Sequence, residues 1–404
     1  MRLYLVASKP TDSVIHGILP AAARLGLDVV LLTDKTAEHE RAGVDATFIR
    51  ILHCDVWDAR QLIGAIAPLP APDAIFSNSA HLQTQTALAA AYFGVPGKDW
   101  RSSMRAKNKS LMRRWLDKTG IEHVAATEIR PDTSHPLRGL RYPVVLKPSE
   151  GVASEDVMLV GGPGELRQRC EQIFARRPGE TLLAEEYLAG GLRTMETLGD
   201  GVTTWVLGGF RTRLSPLPFF IEERLTWDAP VPDAAREHVL EALTKLGAGF
   251  GACHTEYVDA ERRPVLIEVN DRLIGDHCDF VLSDLLGVDL FELVLRVYLG
   301  ESLPPGGPPE PGAGSAHAVI DYVVADRAGV LAASPAAGAQ RSGELGVVLS
   351  YRPLHEVGDR IPLTHTNRDY LGVITAIGAD PAAVELSVAA MRATRNWEIT
   401  ESSS

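Results

Sequence analysis

Two apolar segments joined by a short polar stretch predict a β-hairpin whose strands carry acids. The first strand, the connection and the second strand read HTEYV (254–258), DAERRP (259–264) and VLIEVNDR (265–272). If the turn centres on Arg262, Glu256 faces Glu268 across the two strands and His254 faces Asn270. Side chains opposed in this way have Cβ atoms roughly 4.5 to 5.5 Å apart, so like charges repel each other. A hard divalent cation would remove that penalty.

Glu256, Glu268 and Asn270 offer oxygen ligands for such a cation. Glu268 and Asn270 are two residues apart and share one face of the strand, which Arg272 continues. Two carboxylates and an amide oxygen suit Mg²⁺, or alternatively Mn²⁺, which proteins hold with few groups together with substrate phosphates. Arg272 would lie beside the same phosphates as a planar cation. The competing interpretation is a solvent-facing hairpin with coincidental acids, but the apolar spacers indicate a packed strand where unpaired acids are costly.

A second segment, YPVVLKPSEGVAS (142–154), places one cation at the end of an apolar strand. Lys147 ends the strand and Pro148 stops it. The loop from Ser149 through Gly151 to Ser154 has the small residues that an approach to phosphate oxygens requires. The alternative is a surface lysine before an ordinary turn.

Two further segments admit a nucleotide-binding interpretation. The stretch from Ser103 to Thr119 predicts a basic amphipathic helix, from which Lys109 could reach phosphates; a solvated basic face is the alternative. The strand Thr181 to Leu188 ends in the acids Glu185 and Glu186. Its backbone could present donors and acceptors to an adenine edge, but it could equally be a strand that meets a turn.

Composition narrows the class of protein. A net charge of −12 argues against a large nucleic-acid footprint. No apolar run approaches the roughly 18 residues that a membrane span needs, and the N-terminus is typical of a first strand, so we expect a cytoplasmic protein.

The four cysteines have no CxxC spacing and are expected to be reduced. Cys253-His254 with His277-Cys278 could form a zinc site, but packed core residues are the favoured interpretation.

The 404 residues predict several domains with α/β and α+β character. Strand and helix signals alternate over residues 1–100, which indicates a βαβ domain; the turn after its first strand lacks GxGxxG, which disfavours a dehydrogenase. Domain boundaries are predicted at 101–185 for a small lobe with the basic helix and 186–303 for a larger lobe with the metal site. A Pro/Gly-rich linker, 304–314, precedes a β-rich C-terminal module, 315–404.

Together these segments resemble the ATP-grasp superfamily of carboxylate-amine ligases, in particular its L-amino-acid ligase branch. The resemblance implies an ATP-grasp fold with a Rossmann-like pre-grasp domain. Its specific motifs correspond here to Asn108–Arg113, 142–154, 183–188, His254–Glu256 and, most distinctively, Leu266–Arg272. Asp271 replaces a usual proline of the last motif, which puts substrate identity in doubt.

The resemblance also implies roles for single residues. Lys109, Lys147, Ser149, Gly151 and Ser154 would contact ATP phosphates. Glu185 and Leu188 would receive adenine and Glu186 would lie near the ribose, while Glu196 matches the acid that follows the hinge glycine. Glu256, Glu268 and Asn270 would bind magnesium. The residues assigned to catalysis are Arg272 and Lys147.

The implied activity is the ATP-dependent joining of a small-molecule carboxylate to an amine, with ADP and phosphate as products. Arg211 and Arg224 are candidates for holding a substrate carboxylate. Weaker similarities suggest siderophore pathways. No nucleic-acid or membrane partner is expected, and a homodimer is allowed. The alternatives are a carboxylase or a ligase of a phosphorylated metabolite, a catalytically inactive ATP-binding protein and, least favoured, a nicotinamide oxidoreductase.

Overall fold

The computed structural model describes residues 1–44, 49–132, 140–260, 263–312, 316–341 and 346–401. The N-terminal domain contains a parallel sheet in the order β3-β2-β1-β4. Its strands are β1 (Arg2–Val6), β2 (Asp28–Thr33), β3 (Arg50–His53) and β4 (Ala74–Phe76). A π-helical segment (Ser13–Ile18) leads into α1 (Leu19–Arg24), and α2 (Thr36–Arg41), α3 (Ala59–Ile66) and α4 (Gln83–Phe93) follow. The predicted βαβ pattern is confirmed.

The basic segment forms two helices rather than the single predicted helix. They are α5 (Trp100–Lys107) and α6 (Lys109–Lys118). Asn108 between them has extended backbone angles, and its side chain accepts a hydrogen bond of 2.9 Å from the Leu111 N–H, which caps α6. The break brings the Lys109 N–H to the carbonyl of Ser149, 2.8 Å away.

A small antiparallel sheet in the order β5-β8-β6-β7 follows. Its elements are β5 (Ala126–Ile129), β6 (Val144–Pro148), β7 (Met158–Val160), α7 (Pro163–Arg176) and β8 (Leu182–Glu186). Helix α7 buries Leu166, Cys170 and Ile173 against this sheet because the three residues recur at helical spacing. The range 101–185 predicted for a small lobe contains this sheet together with α5 and α6, to within one residue at each end.

A large antiparallel sheet carries the predicted hairpin. Its first elements are β9 (Gly190–Asp200), β10 (Thr204–Gly208), β11 (Phe210–Leu214), β12 (Glu222–Trp227), α8 (Asp233–Leu246), β13 (Phe250–Ala260) and β14 (Pro264–Asn270). The helices α9 (Cys278–Leu286) and α10 (Leu290–Tyr298) follow and pack in one apolar cluster with the N-terminal domain and this sheet. The large sheet is thereby fixed to the N-terminal domain.

Several C-terminal strands continue this sheet, and three others form a separate small sheet. Its elements are β15 (His317–Val324), β16 (Gly329–Ala333), β17 (Gly338–Arg341), β18 (Val348–Pro353), β19 (Arg360–Ile361), a 3-10 turn (Asn367–Asp369), β20 (Tyr370–Gly378), α11 (Pro381–Thr394) and β21 (Glu398–Thr400). Strand β15 pairs with β12 on one side and β20 on the other. Within the described ranges the sheet runs β14-β13-β9-β11-β12-β15-β20-β18-β17. The end of the predicted linker, 313–314, lies outside the described residues.

No helix in the described part of the chain is long and apolar enough to cross a bilayer.

A buried carboxyl group joins the N-terminal domain to α9. Ser13 Oγ donates a hydrogen bond of 2.5 Å to Asp279, whose side chain is fully buried. Burial raises the pKa of Asp279 to about 6, and it outweighs the hydrogen bond from Ser13 and the charges of His277 and Arg272, which lower it. The folded protein therefore binds this proton more tightly than the unfolded chain does.

We predict that Asp279→Asn makes the free energy of unfolding less dependent on pH. An acid with a raised pKa contributes stability below its unfolded pKa, and the contribution is lost as pH rises through about 6. Raising the pKa from 3.8 to about 6 makes this loss about 3 kcal/mol. Urea denaturation of both proteins at about pH 4 and about pH 8 measures it. Equal pH dependence in wild type and variant would contradict the prediction.

Candidate active site

A cavity of about 700 Å³ opens where the small sheet, the large sheet and the N-terminal domain meet. Its volume suits a small-molecule ligand. Most of the residues singled out in the sequence line it: Lys109, Lys147, Gly151, Ser154, Glu185, Glu186, Leu188, Glu256, Glu268, Asn270 and Arg272. Segments more than 160 residues apart in the chain therefore contribute to one cleft.

The hairpin formed by β13 and β14 has the predicted register. Glu256 pairs with Glu268 and His254 with Asn270, and the register shifts by one residue after Glu256. The predicted turn at Arg262 lies outside the described residues. Both acids therefore face the cavity from directly opposed positions.

Each of the opposed carboxylates has a cationic neighbour. Lys109 Nζ lies 2.9 Å from Glu268, and His254 Nε2 lies 3.4 Å from Glu256. Burial opposes ionisation of Glu268, but Lys109, followed by Lys147, outweighs it and lowers the pKa of this group. Lys147 and Glu268 thus act on each other across the cleft, although they belong to different sheets.

The oxygen donors fit a hard divalent cation. Glu256, Glu268 and Asn270 supply two carboxylates and one amide oxygen within the cavity. In the described ranges, no group of three or more His, Cys, Asp or Glu side chains is placed to hold a metal by itself. A Mg²⁺ ion here would therefore need further ligands such as phosphate oxygens or water, which is its usual environment.

A buried ionic network fixes Lys147. Its ammonium group pairs with Glu185, and Arg113 Nε donates to the same carboxylate at 2.8 Å. All three side chains are at least 94% buried. Burial disfavours the charge of Glu185, but Arg113 and Lys147 outweigh it and lower its pKa to about 2. Glu185 thus holds the ammonium group of Lys147 at the cavity, while Arg113 anchors Glu185 from the other side.

The small-residue loop is held over the cavity by contacts with other units. Ala153 and Ser154 both have positive φ, 57° and 55°. Ser154 Oγ donates to the Phe220 carbonyl at 2.8 Å, and the Asn367 N–H donates to the Ala153 carbonyl at 3.1 Å. The C-terminal region therefore fixes the loop that was predicted to cover phosphates.

Two predicted nucleotide ligands do not line the cavity. Ser149 is 1% exposed, and its Oγ lies 2.9 Å from Ser110 Oγ, so it joins β6 to α6. Glu196 is 3% exposed and lies 2.8 Å from His254 Nδ1. Burial lowers the pKa of His254, but Glu196 outweighs it, and the pKa rises to about 10. In the structure, Ser149 contacts Lys109 and Glu196 contacts His254, so both lie behind residues that line the cavity.

The placement of Arg211 and Arg224 also differs from the expectation that they hold a substrate carboxylate. Both lie at a separate depression, outside the residues that line the cavity. Strand β12 has a register shift between Glu222 and Arg224, so Glu222 faces the cavity and Arg224 faces away. Arg224 Nε then pairs with the buried Asp321 at 2.6 Å. The β-bulge is the physical reason that Arg224 lies outside the cavity.

The unusual Asp271 belongs to a buried ion pair. Lys98 Nζ lies 2.6 Å from Asp271 and also donates to the carbonyls of Phe250 and Ala252, while Ser103 Oγ donates to Asp271 at 2.7 Å. The pair joins the N-terminus of α5 to the end of the strand that carries Asn270. The aspartate therefore has a structural partner that sequence alone did not reveal.

We predict that Lys98→Met lowers the free energy of unfolding by about 3 to 5 kcal/mol, because it leaves Asp271 buried and unpaired. The double variant Lys98→Met/Asp271→Leu should recover much of this loss. Arg60→Met, which breaks an exposed pair with Asp58, serves as the control, with an effect below about 1 kcal/mol. Urea denaturation measures all three, and a similar small effect for Lys98→Met and Arg60→Met would contradict the prediction.

Several residues of the cavity were not assigned from the sequence. Lys9 and His81 come from the N-terminal domain, and Glu222 comes from β12. Glu222 accepts a hydrogen bond of 3.1 Å from Asn367. Burial, followed by repulsion from Glu256, raises its pKa to about 8. No local motif marks these positions, because only the packing of three units brings them together.

The comparisons with known proteins support the fold. No protein-family model matches the chain. It is 26% identical over 318 residues to the uncharacterized protein y4rH of Sinorhizobium fredii, and this match covers 74% of the chain and 64% of that relative, less than two thirds of its length. It is 22% identical over 304 residues to dapdiamide A synthase of Enterobacter agglomerans, with 72% and 71% covered. L-amino acid ligase from Bacillus licheniformis superposes with a TM-score of 0.81 at 20% identity, with 99% of both chains covered.

These similarities confirm the predicted resemblance to ATP-grasp ligases. The chain has the ATP-grasp fold over its whole length, with mixed α/β architecture and several sheets, as predicted. The L-amino acid ligase structure shares all of its regions, including the C-terminal strands.

Proposed function

We propose that this protein is an ATP-dependent ligase that joins a carboxylate to an amine and forms ADP and phosphate. The observation that carries the proposal is the convergence of three cations, Lys109, Lys147 and Arg272, with the oxygen donors of the β13–β14 hairpin in one cavity. Similarity to an L-amino acid ligase and to dapdiamide A synthase supports this class of reaction. We expect small-molecule substrates and a cytoplasmic location.

The proposed reaction has two steps. A substrate carboxylate oxygen attacks the γ-phosphorus of ATP, the bond to the bridging oxygen breaks, and ADP leaves. The amine nitrogen then attacks the carbonyl carbon of the acyl phosphate, its C–O bond breaks, inorganic phosphate leaves, and the nitrogen loses a proton. The sequence contains no GxSxG or Cys/His nucleophile motif, and a reaction through an acyl phosphate needs no side-chain nucleophile.

The residues of the chain act mainly by position and charge. Lys109 and Lys147 would hold the phosphates, and Arg272 would offset charge on the transferred phosphoryl group. Glu256, Glu268 and Asn270 would hold Mg²⁺, which supplies Lewis-acid stabilisation of phosphate oxygens when bound. The loop at Gly151 and Ser154 would limit the access of water, because the Ser154 hydroxyl is bonded to the Phe220 carbonyl and the Ala153 carbonyl is bonded to the Asn367 N–H.

The proposal predicts ADP formation that depends on both an acid and an amine. A panel of amino acids tested singly and in pairs, with ADP measured by a coupled assay and the products by mass spectrometry, tests it. We expect a product of condensed mass in at least one pair. ADP formation that requires bicarbonate, or a phosphorylated acceptor alone, would favour the carboxylase or phosphometabolite alternatives. Tight ATP binding without turnover in any combination would favour an inactive ATP-binding protein.

We predict that Glu268→Gln lowers the rate of ADP formation by at least about 100-fold, because a neutral amide replaces one of the two carboxylate ligands. Glu171→Gln on the exposed face of α7 is the matched control and should retain the full rate. Steady-state kinetics at several Mg²⁺ concentrations checks both variants. Near-normal turnover of Glu268→Gln at low Mg²⁺ would reject the assigned metal site.

A further inference from the structure

We propose that the N-terminal domain contributes a second anion subsite to the cavity, built around Lys9 and His81, which takes an additional acidic group of the substrate. The group is a carboxylate or a phosphate that is separate from the carboxylate to be activated. This inference rests on the proposed ligase function, since it assigns the substrate class of the same cavity. We call Lys9, Asn78 and His81 the N-terminal anion subsite.

The topology of the parallel sheet places this subsite at a switch point. Strand β1 pairs with β2 on one side and with β4 on the other. The chain runs from β1 outward to β2 and β3, and then crosses to β4 on the opposite side of β1, so the strand order reverses between β1 and β4. Lys9 follows the carboxyl end of β1, and Asn78 to His81 follow the carboxyl end of β4. Ligands of open α/β sheets bind in the crevice that forms at such a point. Here the crevice opens into the large cavity.

The lysine of the subsite has no side-chain partner in the part of the chain that the structure describes. Among the residues that the structure describes, the side chains of Lys9 and nearby Lys107 form no hydrogen bond or ion pair. Lys109 and Lys147 in the same cavity are each paired with a glutamate. Lys9 therefore remains available to an anion, whereas the phosphate-side lysines already have compensating charges.

The electrostatic environment of His81 shows an excess of positive charge. Burial, followed by the charges of Lys107, Arg272 and Lys9, lowers the pKa of His81 to about 4. Burial and Lys109 likewise lower the pKa of Lys107 to about 8, although Glu268 and Glu150 act in the opposite direction. Both of these acids have partners already, Lys109 and Asn108 respectively. An anion in the subsite would relieve this repulsion.

The neutral groups of the subsite present donors. Asn78 Oδ1 accepts a hydrogen bond of 3.3 Å from the Leu273 N–H, so its amide N–H groups remain for a ligand. The ring of His81 is held against Trp57, with centroids 5.7 Å apart, and is neutral near pH 7 because its pKa is about 4. A neutral imidazole carries one N–H donor. One lysine and two neutral donors form a plausible receptor for a carboxylate or phosphate group.

Matched substrates test the inference in the full-length protein. The pairs are L-glutamate with L-glutamine, L-aspartate with L-asparagine and O-phospho-L-serine with L-serine, each offered with ATP, Mg²⁺ and the amine panel. We expect kcat/KM for ADP formation to be higher for the acidic member of at least one pair by about 10-fold or more. A factor of this size is expected from one charge-assisted hydrogen bond that the neutral member does not make. The amino-acid pairs and the phosphoserine pair distinguish a carboxylate from a phosphate ligand.

Variants assign any preference to the subsite. Lys9→Met should reduce the acidic-over-neutral ratio about 10-fold while leaving KM for ATP unchanged, and Lys9→Arg should keep most of it. Lys245→Met, which removes an exposed lysine of α8, is the control and should change neither value. Equal losses for acidic and neutral substrates, or an unchanged ratio in Lys9→Met, would overturn the inference.

Direct binding separates this inference from the proposed function. Calorimetric titration of the same pairs into protein saturated with a non-hydrolysable ATP analogue and Mg²⁺ does not require turnover. One outcome is that no ADP forms, but the acidic member of a pair binds more tightly than the neutral one and Lys9→Met abolishes this preference. That outcome would reject the ligase reaction and retain the subsite. Equal binding of both members, or binding of neutral members only, would reject the subsite.

Discussion

The opposition of Glu256 and Glu268 is the constraint around which the cleft is built. Two carboxylates at directly paired positions of an antiparallel hairpin repel each other unless cations lie close by. Lys109 and His254 provide part of that compensation within the chain. Lys109 begins α6, and His254 is held by Glu196 of β9. The charges of the hairpin are therefore balanced only when α6 and β9 lie against it as they do in the structure.

Arg113 of α6 connects the two sheets that form this arrangement. Its guanidinium donates to Glu185 of β8 and, at 2.6 Å, to the carbonyl of Leu266 in β14. Glu122 accepts from the Leu266 N–H at 2.8 Å and lies 3.4 Å from Arg113. These charged groups are almost completely buried, so their contribution to stability depends on their hydrogen bonds and on a rigid geometry. The network fixes Lys147 on one sheet relative to Glu268 on the other.

Features that depend on residues close together in the chain were predicted from the sequence. The hairpin register follows from a period of two and the spacing of the two strands, so the pairing of Glu256 with Glu268 was predicted correctly. The break at Asn108 was missed because the segments on both sides of it favour helix, and the capping role of Asn108 becomes visible only in the backbone angles. The direction of Arg224 could not be derived from local alternation, because a bulge in β12 interrupts it. The β12–β15 pairing was missed because it joins segments about 95 residues apart, beyond any local pattern.

The pairing of β12 with β15 also affects how the site is assembled. It extends the large sheet into the C-terminal strands, and β20 then leads back to the turn that contains Asn367. Asn367 holds both the Ala153 carbonyl of the small-residue loop and the Glu222 carboxylate. A region without a chemical motif of its own thus connects the loop over the cavity to the strand that forms the cavity wall. Because Asn367 contacts both groups, the position of the loop over the cavity depends on the C-terminal strands as well as on the contacts that the loop makes with α6.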